Sequence, residues 1–226
     1  MKPDTWPCPQ PQGGTAPELA FACDRGRDLR LLMIPALFDE ANKLRKLCGD
    51  VLRRLDGAGI DCHLIDLPGC HESLSPLEAQ TPASWRAATQ AAAAHFRSTH
   101  VLGIRGGTLV MPLGLPGWRY APVKGANILR QMLRARIIAA REAGREETIE
   151  ALLDNGLKDG LELAGYHLSA SFISAFQSAL PPVAVGLADI DQEMLGGGGL
   201  WLRAEPDEDR AQADTLAAIL AVGMRA

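Results

Sequence analysis

His100-Val101-Leu102-Gly103-Ile104-Arg105-Gly106-Gly107 is the stretch whose reading decides the fold. The first five residues are a short apolar run, long enough for one buried strand. The glycines then mark a sharp turn into Gly106 to Leu113, an apolar stretch that reads as helical. Upstream, Leu29-Arg30-Leu31-Leu32-Met33-Ile34-Pro35 and Cys62-His63-Leu64-Ile65-Asp66-Leu67 are two more strand-like runs, ended by Pro35 and by Pro68-Gly69. Between them Ala41, Leu44, Leu47, Cys48, Val51, Leu52 and Leu55 recur at three- and four-residue intervals, and Gly57 and Gly59 close an amphipathic helix. The alanine-rich segment Trp85 to Phe96 has strong helix propensity. Strand, helix, strand repeated in this order predicts βαβ units, and hence a mostly parallel sheet flanked by helices.

Further along, the alternation stops. Ile128, Leu129, Met132, Leu133, Ile137 and Ile138 form an apolar stripe on a helix that also carries Arg130, Arg134, Arg136 and Arg141. A second helix spans roughly Glu146 to Leu153, with Asn155-Gly156 as its stop. Leu161 to Leu163 reads as a short strand, and Ser169 as the N-cap of a helix running to Leu180. Residues 125–180 are therefore expected to be a helical lid inserted into a core made of 18–124 and 181–226. In that core Val183 to Leu187 and Leu200-Trp201-Leu202 are expected as strands and Ala211 to Val222 as the last helix. Residues 1–17, rich in Pro, Gly and Gln, are expected to be an irregular lead-in.

The 226 residues are 47% hydrophobic and 22% charged, a composition that excludes disordered and fibrous classes. A net charge of −4 gives no general basic field, so nucleic acid is not an expected partner. Cys8, Cys23, Cys48, Cys62 and Cys70 lack CxxC spacing, so neither a disulfide framework nor a metal site is expected. Gly196 to Gly199 lacks the Lys-Ser or Lys-Thr of a phosphate-binding loop, and no cofactor is expected. The proline-rich first thirty residues do not read as a signal peptide. No apolar run approaches the roughly 18 residues of a membrane span, and the expected location is cytoplasmic.

A parallel sheet, a late helical insertion and a glycine-framed turn after a strand together describe an α/β-hydrolase layout, whose nucleophile elbow is written G-x-S-x-G. Here it is Gly103-Ile104-Arg105-Gly106-Gly107. The glycines fall where the elbow needs them, but Arg105 stands at the nucleophile position and cannot perform a covalent hydrolytic step. The ordered chain, roughly residues 25–222, resembles the exosortase A system-associated α/β-hydrolase-like proteins of the hydrolase 2 type. The matching residues are Ile34-Pro35-Ala36-Leu37-Phe38-Asp39-Glu40-Ala41-Asn42-Lys43, Asp66-Leu67-Pro68-Gly69-Cys70-His71-Glu72-Ser73, the Gly103 to Gly107 turn, Pro122-Val123-Lys124-Gly125 and Gly165-Tyr166-His167-Leu168-Ser169. That resemblance implies a bacterial exopolysaccharide or protein-sorting context with a protein of that system as partner, while the arginine in the glycine turn points to a small anionic ligand.

Carried over by position, the hydrolase roles put one oxyanion donor at Gly106 and the other at Ala36 or Leu37. The triad acid falls at Asp189 or Asp191, and no histidine follows His167. Two of the three triad members are therefore absent, and no residue is assigned as catalytic in the standard sense. Arg105 either pairs with Asp39, Glu40 or Asp189, or binds an anion at a helix N-terminus. Lys124 could add a second positive charge, while His71 with its neighbours, and His167, are further cleft candidates. The rival expectation is a hydrolase of unusual mechanism, with water activated by Asp189 or Glu72 and Arg105 stabilising the oxyanion.

Overall fold

Strands β3 (Arg30–Ile34), β4 (Asp61–Ile65) and β5 (His100–Ile104) lie side by side and parallel at the centre of a seven-stranded sheet. All five positions of β3 and of β4 are buried, as expected of strands covered on both faces. In the computed structural model, which describes residues 1–226, the sheet order is β1-β2-β4-β3-β5-β6-β9. The outer members are β1 (Lys2–Pro9), β2 (Thr15–Cys23), β6 (Gly117–Tyr120) and β9 (Leu187–Ile190). The β1–β2 and β2–β4 pairs are antiparallel and the other four are parallel.

Helices α1 (Asp39–Gly57) and α7 (Arg210–Gly223) pack on one face through Leu44, Val51, Leu216 and Leu220. On the other face lie α2 (Pro82–His95) and the segment between β6 and β9. That segment folds as α3 (Gly125–Glu142), α4 (Ile149–Asp159), the hairpin β7 (Leu161–Leu163) and β8 (Tyr166–Leu168), and α5 (Ala170–Ser178). Its Phe172 and Phe176 join Phe38 and Trp85 in one aromatic cluster.

Several sequence expectations are corrected. Residues 1–17 are not irregular, because β1 and the start of β2 form a hairpin there, turning at Gly13-Gly14, both with positive φ. The hydrogen bond from Gln10 N–H to the Gly14 carbonyl, propagated through the register, turns the backbone of even-numbered β1 residues toward β2. Pro3, Pro7 and Pro9 fall at the alternate positions, where a missing N–H costs no ladder bond. The strand expected at Val183 to Leu187 begins only at Leu187. Leu200 to Leu202 is a single 3-10 turn, with Leu200 and Trp201 buried on the α1/α7 face, so the sheet ends at β9. Helix α4 continues through Asn155-Gly156 and stops at Gly160, whose φ of 81° supplies the left-handed cap. Gly156 serves packing instead, because a β-carbon there would stand 2.9 Å from Ile173 Cδ1. Strand β6 was not anticipated, and α6 (Gln192–Leu195) is a single turn after β9.

Candidate functional site

The C-terminal ends of the parallel strands bring three segments together: the elbow after β5, the loop from β3 into α1, and α3 from the inserted segment. Arg105 begins the 3-10 turn Arg105–Val110 with φ of 51°, a left-handed backbone seldom adopted by a residue with a side chain. Of the two glycines that follow, Gly107 is sterically required and Gly106 is tightly packed. A β-carbon on Gly107 would overlap the Pro35 carbonyl oxygen, and one on Gly106 would stand 2.8 Å from Ile128 Cδ1 and 3.0 Å from Leu37 Cγ.

Three of the five N–H donors of the Arg105 guanidinium are taken by the protein. Nε and Nη2 donate to the two carboxylate oxygens of Glu40 at 3.0 and 2.9 Å, and Nη1 donates to the Ala121 carbonyl at 3.0 Å. Its Cζ lies 4.2 Å from the centre of the Trp201 ring. With side-chain exposures of 14% for Arg105 and 8% for Glu40, this is a mostly buried, bidentate pair with its charge neutralised internally. Of the three partners open to Arg105 from the sequence, the structure selects Glu40. The anion-binding alternative would have to use the two N–H groups of Arg105 that this pairing and the Ala121 carbonyl leave over.

The remaining candidates are scattered. Ala36 and Leu37 are buried between β3 and α1, and Leu37 packs close to Gly106. Asp189 is taken by Arg119, whose Nε lies 2.6 Å from its Oδ1, and Asp191 is exposed ahead of α6. Lys124 is exposed just before α3. His167 is exposed on β8, its Nε2 3.8 Å from Glu162 Oε2, and Glu72 is exposed after β4. His71 has a φ of 51°, and its Nδ1 lies 3.4 Å from Oδ1 of the buried Asp66. Burial pushes the Asp66 carboxyl up and the His71 imidazole down, so both neutral forms are favoured. No side chain other than Glu40 makes an ion pair with Arg105.

What the sequence did not assemble is an apolar cleft of about 180 Å³ between the β3–α1 loop and α3. Leu37, Phe38, Ile128, Met132 and Tyr166 form its walls, with Asp39, Glu40 and Gln131 among the polar groups at its edge. Phe38 adopts a φ of 56°, and Tyr166 meets its ring edge-on at 5.1 Å. Burial raises the Tyr166 phenol, keeping it a neutral donor. Asp39 Oδ2 is engaged by Lys43 at 2.8 Å. Phe38 and Tyr166 sat inside motifs noted in the sequence, and Ile128 and Met132 on the apolar stripe, but nothing in their spacing marked a shared cleft. No cluster of three or more His, Cys, Asp or Glu side chains arranged to hold a metal is present.

No family model matches the chain, and no curated protein matches it. Solved structures do. An esterase from Exiguobacterium antarcticum superposes with a TM-score of 0.56 at 10% identity, covering 99% of this chain and 100% of its own. The esterase domain of a Rhodothermus marinus protein gives 0.55 at 10%, over 100% and 99%. Mouse alpha/beta hydrolase domain-containing protein 10 gives 0.55 at 12%, over 90% and 92%. The fold is the α/β-hydrolase fold. Other matches are partial: the chain spans 61% of the length of a putative hydrolase from Agrobacterium vitis, itself matched over 62% of this chain. At the turn after β5 Arg105 is ion-paired with Glu40, and no helix is long and apolar enough to cross a membrane.

Proposed function

We propose that this α/β-hydrolase-fold chain lacks Ser-His-Asp hydrolysis and holds a small ligand in the cleft beneath α3 without cleaving it. The observation that carries this reading is the Arg105–Glu40 pair, which fills the nucleophile position with a neutralised, hydrogen-bonded group. A guanidinium is not deprotonated near neutral pH, and both oxygens of the Glu40 carboxylate are already occupied by its hydrogen bonds. The cleft walls are apolar, so the bulk of the ligand is apolar too. Resemblance to the exosortase A-associated type supplies the setting: a cytoplasmic protein of an exopolysaccharide system, with another protein of that system as an alternative partner.

The rival mechanism requires Asp189 or Glu72 to activate water beside Arg105. Asp189 is held by Arg119, and Glu72 is exposed and makes no ion pair with Arg105. In the test, fluorophosphonate labelling and hydrolysis of p-nitrophenyl acyl esters should match a heat-denatured control. 1-Octanol should raise the melting temperature, and Ala135→Trp at the exposed rim of the cleft should remove that rise. Ester turnover that disappears in Arg105→Ala would overturn the reading.

A further inference from the structure

Asn127, Arg130, Gln131 and Arg134 are exposed on the outer side of α3 and line a shallow open hollow. Arg136 on the same helix is paired with Glu147, and Arg105 behind it with Glu40, but Arg130 and Arg134 form no ion pair. From Lys124 to Arg141 the chain carries five basic and no acidic side chains, although its net charge is −4. Two arginines four residues apart on a helix repel each other, so the arrangement lowers helix stability unless an anion lies between them. Each guanidinium offers a planar fork of donors suited to a carboxylate or phosphate.

This hollow adjoins the apolar cleft at one residue. Gln131 lines both, while Ile128 and Met132 on the same helix line the cleft alone. A single molecule can therefore lie across Gln131 with one end over the arginines and the other among the apolar walls.

We infer that the inserted segment takes an anionic amphiphile, with a carboxylate or phosphate monoester head on Arg130 and Arg134 and an alkyl chain passing Gln131 into the cleft. The inference rests on the binding function proposed above and names its ligand class. A cleft of about 180 Å³ is slightly larger than a cavity of roughly 150 Å³ that accepts benzene, which suits a chain of about six to eight carbons. The anionic group expected from the sequence is thereby moved from the buried Arg105 to the solvent side of α3.

Titration calorimetry with monomeric octyl phosphate, octanoate and 1-octanol tests this, using the wild type, the double variant Arg130→Gln/Arg134→Gln, and Ala135→Trp, each checked for folding by circular dichroism. Octyl phosphate and octanoate should bind at least tenfold more tightly than 1-octanol. The double variant should bring both to the level of 1-octanol without changing 1-octanol binding, and Ala135→Trp should weaken all three. Equal affinities in the wild type, or no effect of the double variant, would overturn the inference and leave the cleft reading standing. Octyl phosphate binding that survives Ala135→Trp and is fully displaced by inorganic phosphate would reduce it to a surface ion contact, and overturn it. Sedimentation with phosphatidylglycerol vesicles but no monomer binding would do the same, in favour of membrane docking. Failure of 1-octanol to bind would instead overturn the cleft reading itself.

Discussion

Arg105 and Glu40, 65 residues apart, meet through two parallel hydrogen bonds of 3.0 and 2.9 Å beneath the ring of Trp201. Breaking one side of a mostly buried pair strands a charge away from water. Glu40→Ala is therefore expected to destabilise the protein by about 3–5 kcal/mol. Combining Arg105→Met with Glu40→Leu should cost less than Glu40→Ala alone. Urea unfolding of the single and double variants measures the difference, and simple additivity would contradict the pairing.

The elbow should also resist conversion. Arg105→Ser places a hydroxyl at the turn after β5, but the acceptors around that side chain are the Glu40 carboxylate and the Ala121 carbonyl, with no histidine among them. Turnover of p-nitrophenyl acetate by this variant is expected to equal the wild-type background. A burst of product in stopped flow would show that another base reaches the site.

Gly107 has no room for a methyl group, because its β-carbon would overlap the Pro35 carbonyl oxygen, a backbone atom that cannot swing aside. Gly107→Ala is expected to lose about 3 kcal/mol or more, beyond the usual cost of small overpacking. Gly57→Ala, at the last turn of α1 with nothing near its β-carbon, is the control and should be neutral or slightly stabilising. Thermal melts of the two variants separate these outcomes.

His63 is fully buried, stacks on Phe96 at 4.2 Å, and has its Nε2 3.3 Å from Asp24 Oδ2. Burial outweighs Asp24 and lowers the imidazole below its usual value of 6.5. The folded state therefore binds a proton less readily than the unfolded one. Its contribution to stability is complete above about pH 6.5 and is lost as pH falls through the lower folded value. Unfolding free energy should decline as pH falls below about 6.5, and His63→Gln should flatten that decline. Asp24, held low by Arg30, adds its own loss only at more acidic pH, below the ordinary carboxylate value. An unchanged slope in His63→Gln would assign the titration elsewhere.

The parts legible in the sequence were those whose signal is local. β3, β4 and β5 are apolar runs with clear stops, and α1 has an unbroken three-four period. β6 escaped because Gly117-Trp118-Arg119-Tyr120 follows proline and has no alternating pattern, and it is held by the close approach of Gly117 to the Val101 backbone. β1 escaped because its prolines suggested irregularity until the register showed which way they face. At the site, the oddity of Arg105 was plain from the glycines around it, whereas the choice of Glu40 over Asp39 or Asp189 depends on how α1 is docked. Phe38 and Tyr166 lay in noted motifs, but nothing in their spacing said that the β3–α1 loop and the β7–β8 hairpin, more than a hundred residues apart, would bring the rings together.

The proline pattern of β1 also makes the sheet one-sided. Pro3, Pro7 and Pro9 leave its outer rim poor in donors, so a further strand cannot complete a ladder there. The opposite rim, the four residues of β9, retains ordinary backbone donors. Should copies of this chain ever join edge to edge, whether as an ordered pair or in the first step of aggregation, the seam will run along β9, and a proline placed at Asp189 would be the way to close it.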